Sequence, residues 1–408
     1  MKFRSKLCAI LTSSIYCGQV RYVRIVFTRK FVIFFVSKLI PFRPHLIVFC
    51  VFCILSQGST YSQSEKQQLS EDAVNIRRCW VVTVPNAGVS AVSSDAKSVF
   101  VASTDGQILS IEAKTGNRNW ISELGGKVIS PLFVSASKVF IATNSTNGGD
   151  QTTLWALSKE TGITIWNSKI PFSENIYIGG GNGIFSITHD GSISRFDSET
   201  GVMSWNKKIN SEIAAEPIFA DSIIIGSKDK HIYILDSTIG EITSSPVTSV
   251  PFFVSGSLKN GVLFGDDRGN ITKWTADSAA TSWKFKAGAK ITQAFRTNEG
   301  ILAASDDNFI YFISDYNGDV IWKLRLSGRV NDLIMLSDKL AAASAVGENE
   351  VVIFDLSNGK PVTKLAAKHD NSIVNLLISI NGSSIIAVNN FDLEFLSLNG
   401  CTANQTPS

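Results

Sequence analysis

The side chains able to do chemistry are few in this chain, and their spacing limits what they can do. Four histidines occur, His45, His189, His231 and His369. His189 precedes Asp190-Gly191, His231 follows Asp229-Lys230, and His369 precedes Asp370-Asn371. A zinc site needs imidazoles or thiolates a few residues apart. No two of these histidines stand at that spacing and no cysteine accompanies them, so they read as solvated turn residues. Acids recur at Asp105, Asp190, Asp229, Asp266, Asp267, Asp306 and Asp307. Gathered carboxylates could hold a cation, but an Asp beside Gly or Asn accepts hydrogen bonds from its own turn, which accounts for the series. Gly179-Gly180-Gly181-Asn182-Gly183 lacks the Lys-Ser/Thr and the helix of a phosphate loop, and reads as a flexible strand connection. Neither a Gly-x-Ser-x-Gly elbow nor a Cys-x-x-Cys-His haem attachment occurs. The expectation is a protein with no catalytic residue, no cofactor and no metal site.

The remaining candidates are the tryptophans, and they mark a period. Trp80, Trp120, Trp166, Trp205, Ser244, Trp283, Trp322 and Thr363 occupy one repeated position, with gaps of 40, 46, 39, 39, 39, 39 and 41 residues. Four residues before each position from 120 onward a turn ends, as in Ile108–Gly116 (ILSIEAKTG), Leu154–Gly162 (LWALSKETG) and Ile193–Gly201 (ISRFDSETG). Indoles could line a ligand surface. Recurrence at nearly every period instead assigns the six tryptophans a structural docking job, each packed between neighbouring units with its N–H bonded to a backbone group.

The elements that carry these positions are strands. Val, Ile, Phe and Thr alternate with polar residues in runs of five to seven, broken by Asp-Gly, Asn-Gly and Thr-Gly. Four strands in about forty residues, repeated, make propeller blades. The predicted fold is all-β, an eight-bladed β-propeller of four-stranded antiparallel blades over residues 78–401. The last repeat offers three strands, at 373–378, 384–388 and 393–398, and residues 78–84 supply its outer strand. Closing the ring this way removes the two sheet edges of an open array.

Six cysteines are present, four of them (Cys8, Cys17, Cys50, Cys53) near the N-terminus. Cys79 lies one residue before a repeat Trp, and Cys401 one residue after a repeat turn glycine. If residues 78–84 complete the last blade, the two Cα atoms should lie roughly 5–7 Å apart, within disulfide range. A Cys79–Cys401 disulfide is predicted, in a compartment where it persists.

The chain of 408 residues is 44% hydrophobic and 18% charged, enough apolar material for a sizeable core. Its net charge of +3 is uneven. Residues 1–64 hold nine basic side chains and no acid, leaving 29 basic against 35 acidic residues beyond. That acidic body argues against a nucleic-acid partner. Leu46–Leu55 (LIVFCVFCIL) follows Lys38 and Arg43 and precedes Ser56-Gln57-Gly58-Ser59-Thr60, the order of a secretory signal. Residues 1–62 read as a leader, either a signal peptide or a signal anchor that also uses Phe31–Val36, with a start site that could lie too far upstream. Cys50 and Cys53 each follow Phe where lipid attachment wants a small residue. Residues 63–77 read as a tether and 402–408 as a tail.

Asp105–Trp120 and Asp190–Trp205 have the form Asp-Gly-x-Ile-x-x-x-x-x-x-Thr-Gly-x-x-x-Trp. This resembles the pyrroloquinoline-quinone-type repeat with its tryptophan-docking motif, across residues 78–401. Two groups share that repeat. Quinoprotein dehydrogenases hold the quinone and a calcium ion in an eight-bladed propeller. BamB-like propellers are non-catalytic scaffolds of the outer-membrane β-barrel assembly machinery. This chain lacks the adjacent Cys-Cys pair of many quinoproteins and has no long insertions for a cofactor chamber. The resemblance therefore implies an exported protein-binding scaffold of the periplasm or cell envelope, a monomeric ring that meets the membrane only through its leader or its partner. A quinoprotein enzyme and a ligand- or polysaccharide-binding envelope propeller are the alternatives.

Overall fold

The computed structural model describes residues 76–401, apart from 85–87, 146–150, 221, 248, 258–260, 276–279, 367–373 and 375, together with a short hairpin near the N-terminus. Contacts divide the chain into Met1–Asp72 and Ala73–Ser408. Of the first unit only that hairpin, Phe27–Thr28 with Phe31–Val32, is described. The rest of the leader, nearly all of the tether and the tail lie outside the described residues, and so does His369. Among the described residues no helix is long and apolar enough to cross a membrane.

The second unit is all strand, arranged as eight antiparallel sheets. Blade 1 runs Val89–Ser94, Ser98–Ser103, Gln107–Glu112 and Arg118–Glu123. Blade 3 (Ile176–Gly180 to Met203–Lys208), blade 4 (Ile218–Phe219 to Ile242–Pro246), blade 5 (Phe253–Ser257 to Ala280–Lys286), blade 6 (Ile291–Arg296 to Val320–Arg325) and blade 7 (Val330–Met335 to Pro361–Ala366) repeat that order. Blade 2 differs in its first strand, which is broken into Lys127–Val128 and Phe133–Val134, both paired with Lys138–Asn144. Blade 8 takes Leu376–Ile380, Ser384–Val388 and Asp392–Ser397 from the C-terminal end and Arg77–Thr83 from the N-terminal end. Its first strand ends at Ile380, two residues later than the sequence placed it. First strands of adjacent blades touch one another, which puts them around the ring axis.

Burial follows position in the blade. The second strand of blade 1, SVFVAS, is buried almost throughout, because neighbouring blades cover both faces of a middle strand. Its outermost strand, RNWISE, buries chiefly Trp120. In every blade but the fourth, the third and fourth strands slip register beside the marked position, as between Ser110 and Ile111. Such a bulge inserts one residue and sharpens the local twist, which re-aims the next side chain towards the adjoining blade. In blade 8 the inserted residue is Cys79, between Arg78 and Trp80.

The glycine run is more than a connection. Gly179 and Gly180 end the first strand of blade 3, and a Cβ on either would collide with the rings of Phe219 and Phe133. Side chains of blades 4 and 2 fill the space the glycines leave.

Candidate protein-docking surface

Each repeat tryptophan reaches across a junction between blades. Its indole Nε1 donates to a carbonyl in the next blade's third-to-fourth turn. Trp80 donates to Ala113 at 3.0 Å, Trp120 to Lys159 at 2.9 Å, Trp166 to Ser198 at 3.0 Å, Trp205 to Thr238 at 3.2 Å, Trp283 to Asp315 at 2.9 Å and Trp322 to Leu356 at 2.7 Å. The indole face lies under that turn's glycine. At Gly162, with φ of +71°, an added Cβ would run into the Trp120 ring. The left-handed backbone and the missing side chain are both required there.

The eight apolar clusters of the ring are its eight junctions. Six hold the repeat tryptophans. Between blades 4 and 5, where Ser244 takes the marked position, Trp274 from the third strand of blade 5 packs with Ile224 and Ile232 of blade 4. Sequence reasoning missed Trp274, because it stands outside the repeated register. The signal was the Ser at 244, which leaves a junction to be filled from the other side.

Cys79 and Cys401 are joined, with Cα atoms 5.3 Å apart. In the other blades a peptide turn connects strands three and four; in blade 8 those strands come from opposite chain ends, and the disulfide takes the place of the turn. Arg78 reinforces the seam, its Nε 2.8 Å from the buried Glu394 carboxylate.

The turn acids are engaged locally. Asp190 accepts from the Thr188 hydroxyl and from Lys208 Nζ at 2.9 Å, which together hold its carboxyl down to about 2. Asp266 accepts from Asn270 and from the Arg268 N–H. Asp307 Oδ2 accepts from the Tyr311 hydroxyl at 2.7 Å and the Gly288 N–H at 2.8 Å. Partial burial, with Asp307 beside it, pushes the Tyr311 phenol up to about 12. Asp229, Tyr233 and His231 form a similar group, with the Tyr233 hydroxyl 2.7 Å from Asp229 Oδ2. His189 lies 3.6 Å from Glu212, which also pairs with Lys228. No group of three metal-ligating side chains forms among the described residues. A cavity of about 640 Å³ opens among the first strands of blades 1, 2, 3 and 8, lined by Ser90, Val128, Asn175, Tyr177, His189 and Leu376. It brings Tyr177 and His189 to one mouth, and among the described residues no lysine, arginine, aspartate or glutamate lines it.

What the ring leaves open is its outer edge. The outermost strands end each sheet, so among the described residues their outward N–H and C=O groups have no strand partner. On blades 1 to 4 and on blade 6 this edge also carries apolar side chains: Ile121, Ile163, Ile165, Val202, Met203, Ile239, Val320 and Ile321. Ile163, Val202 and Ile239 flank the turn glycines and are 67%, 64% and 62% exposed. Lys169, Lys207 and Lys208 lie on the same strands. Edge lysines discourage indiscriminate pairing between sheets, while the apolar positions between them invite a matched partner.

The model of the family described as outer membrane protein assembly factor BamB matches residues 62–174, 152–247 and 243–405. The BamB protein of Moranella endobia (strain PCIT) is 21% identical over 285 residues, 66% of this chain and 72% of that protein. The BamB protein of Burkholderia pseudomallei (strain K96243) is 21% identical over 230 residues, 51% of this chain and 58% of that protein. The crystal structure of BamB from Moraxella catarrhalis superposes with a TM-score of 0.61 at 16% identity, covering 79% of this chain and 98% of that one. The computationally designed Ika8 protein superposes with a TM-score of 0.67, also at 16% identity, covering 78% and 99%. The eight-bladed fold is therefore shared with natural and designed rings alike, and a fold of this kind does not by itself specify a function.

Proposed function

The chain belongs to the family of the outer membrane protein assembly factor BamB, and from that premise we propose that it is an exported, non-catalytic scaffold that binds a protein partner in outer-membrane protein assembly. The observation that carries this reading is the family match across residues 62–405 on a ring whose outer edge over blades 2 and 3 exposes Ile163, Ile165, Val202 and Met203 and has no further strand paired to it among the described residues. The partner presents an extended segment of alternating apolar and acidic residues. It adds to the outermost strands of blades 2 and 3, its apolar side chains on Ile163, Ile165 and Val202 and its acids facing Lys169 and Lys207. Main-chain bonds supply affinity and side-chain matching supplies selectivity, and neither asks the ring to move. The protein works in the periplasm, where the Cys79–Cys401 bond persists.

The test is affinity capture from envelope extracts with wild-type protein and with the double variant Ile163→Asp, Val202→Asp. Both substituted side chains are exposed, so the variant should fold and melt as wild type. Wild type should retain an outer-membrane barrel-assembly protein, and the variant should lose most of it. Equal retention by both would remove the blade 2–3 edge as the docking surface.

A further inference from the structure

Seven of the eight junctions between blades contain an indole, and the junction between blades 7 and 8 does not. The chain has eight tryptophans, and all of them sit elsewhere: seven across the other junctions and Trp155 against the cluster of blades 1 and 2. The marked position that would feed this junction is Thr363. Among the described residues its cluster is wholly aliphatic, built on Leu336, Ala342, Ile353, Val374, Leu377 and Ala387. Large aromatic rings supply much of the area a core buries, so this seam is closed by smaller groups than any other.

Polar bonds take the place of the ring. Asp332, 4% exposed on the first strand of blade 7, accepts the Leu377 N–H of blade 8 at 2.6 Å. It also accepts its neighbour Leu333 N–H at 2.9 Å and the Gln293 amide of blade 6 at 2.8 Å. Asn331 Nδ2 donates to the Val374 carbonyl at 2.9 Å. At the outer side of the seam Arg78 of blade 8 donates to the Ala366 carbonyl of blade 7 at 2.7 Å. Water can replace such bonds one for one once the seam parts, whereas nothing in water replaces a buried indole, so the polar seam opens at lower cost. The disulfide acts on a different line: it ties two strands within blade 8 and so keeps that blade whole while leaving its boundary with blade 7 uncrossed.

We propose that the junction between blades 7 and 8 is the opening line of the ring, where blade 8, kept intact by Cys79–Cys401, parts from blade 7 while the other seven junctions stay packed. This concerns the ring itself and holds whatever docks on its edge.

Native-state hydrogen exchange on the oxidised full chain reads it directly. Peptides covering Val330–Met335 and Leu376–Ile380, which include the amides bonded to Asp332, should exchange at least about tenfold faster than first-strand peptides of blades 3 and 6. Asp332→Ala should speed both of these peptides further and leave blades 2 to 4 unchanged. Reducing the disulfide should instead speed Arg77–Thr83, which separates unzipping of blade 8 from opening of the seam. Uniform exchange around the eight first strands of the oxidised protein would overturn the proposal, as would faster opening at any junction that holds an indole.

Discussion

Trp166 shows what one residue contributes. Its ring is 8% exposed, tilted against Phe140 at 5.7 Å, hydrogen-bonded to Ser198 and covered by Gly201. Trp166→Ala should cost about 3–5 kcal/mol in denaturant melts, the range for emptying an aromatic site. Trp205→Ala should cost less, because that ring is only half-buried and its bond to Thr238 lies in water. The carboxylates respond to acid in opposite senses. Thr188 and Lys208 hold Asp190 below its ordinary 3.8, at about 2, so its contribution to stability is complete above 3.8 and is lost as pH falls towards 2. Burial pushes Asp332 up despite its three donors, so its contribution is complete below 3.8 and is lost as pH rises through the raised value. Asp332→Asn should remove that second dependence from stability measured as pH rises from below 3.8. The stability of the variant relative to wild type should rise with pH, because wild type must ionise a buried carboxyl and the amide need not.

At the scale of the element, the deciding structure is the strand Arg77–Thr83. It alone turns the chain's last three strands into a complete blade, and it brings Trp80 to Ala113 and Gly116 of blade 1. Deleting it leaves one unpaired edge on Asp392–Ser397 and an empty indole site, so the truncated protein should aggregate or lose its single cooperative melt. Cys401→Ser leaves the strand but frees its end. The loss should be up to about 5 kcal/mol, measured on oxidised protein against the reduced wild type, which should match the variant. These features were legible in sequence for a physical reason: a repeat fixes register, and register alone put Cys79 and Cys401 side by side across the last blade. Where register carries no information, reading stopped. Trp274 fills the junction of blades 4 and 5 from a third-strand position, and Asp332 ties blades 6, 7 and 8 through contacts among first strands. Both depend on which blades become neighbours in space. Gly179 and Gly180 read as a loose connection for the same reason, since Phe133 and Phe219 arrive from other blades.

At the scale of the molecule, the ring combines a stiff frame with an edge open to pairing. Indoles fill seven junctions, Asp190 and Asp307 are bonded to neighbouring side chains, and the outer edge carries exposed apolar side chains on blades 1 to 4 and 6 with no further strand paired to it among the described residues. A frame of this kind lets edge residues vary without disturbing the core, which suits docking. The most direct measurement of the scaffold reading is site-specific photocrosslinking in envelopes, with the reactive group placed in turn at Ile163, Val202, Thr363 and Lys364. The account predicts adducts with an outer-membrane barrel-assembly protein from Ile163 and Val202 and none from Thr363 or Lys364. Adducts of equal yield from blade 7, or none from blades 2 and 3, would contradict it.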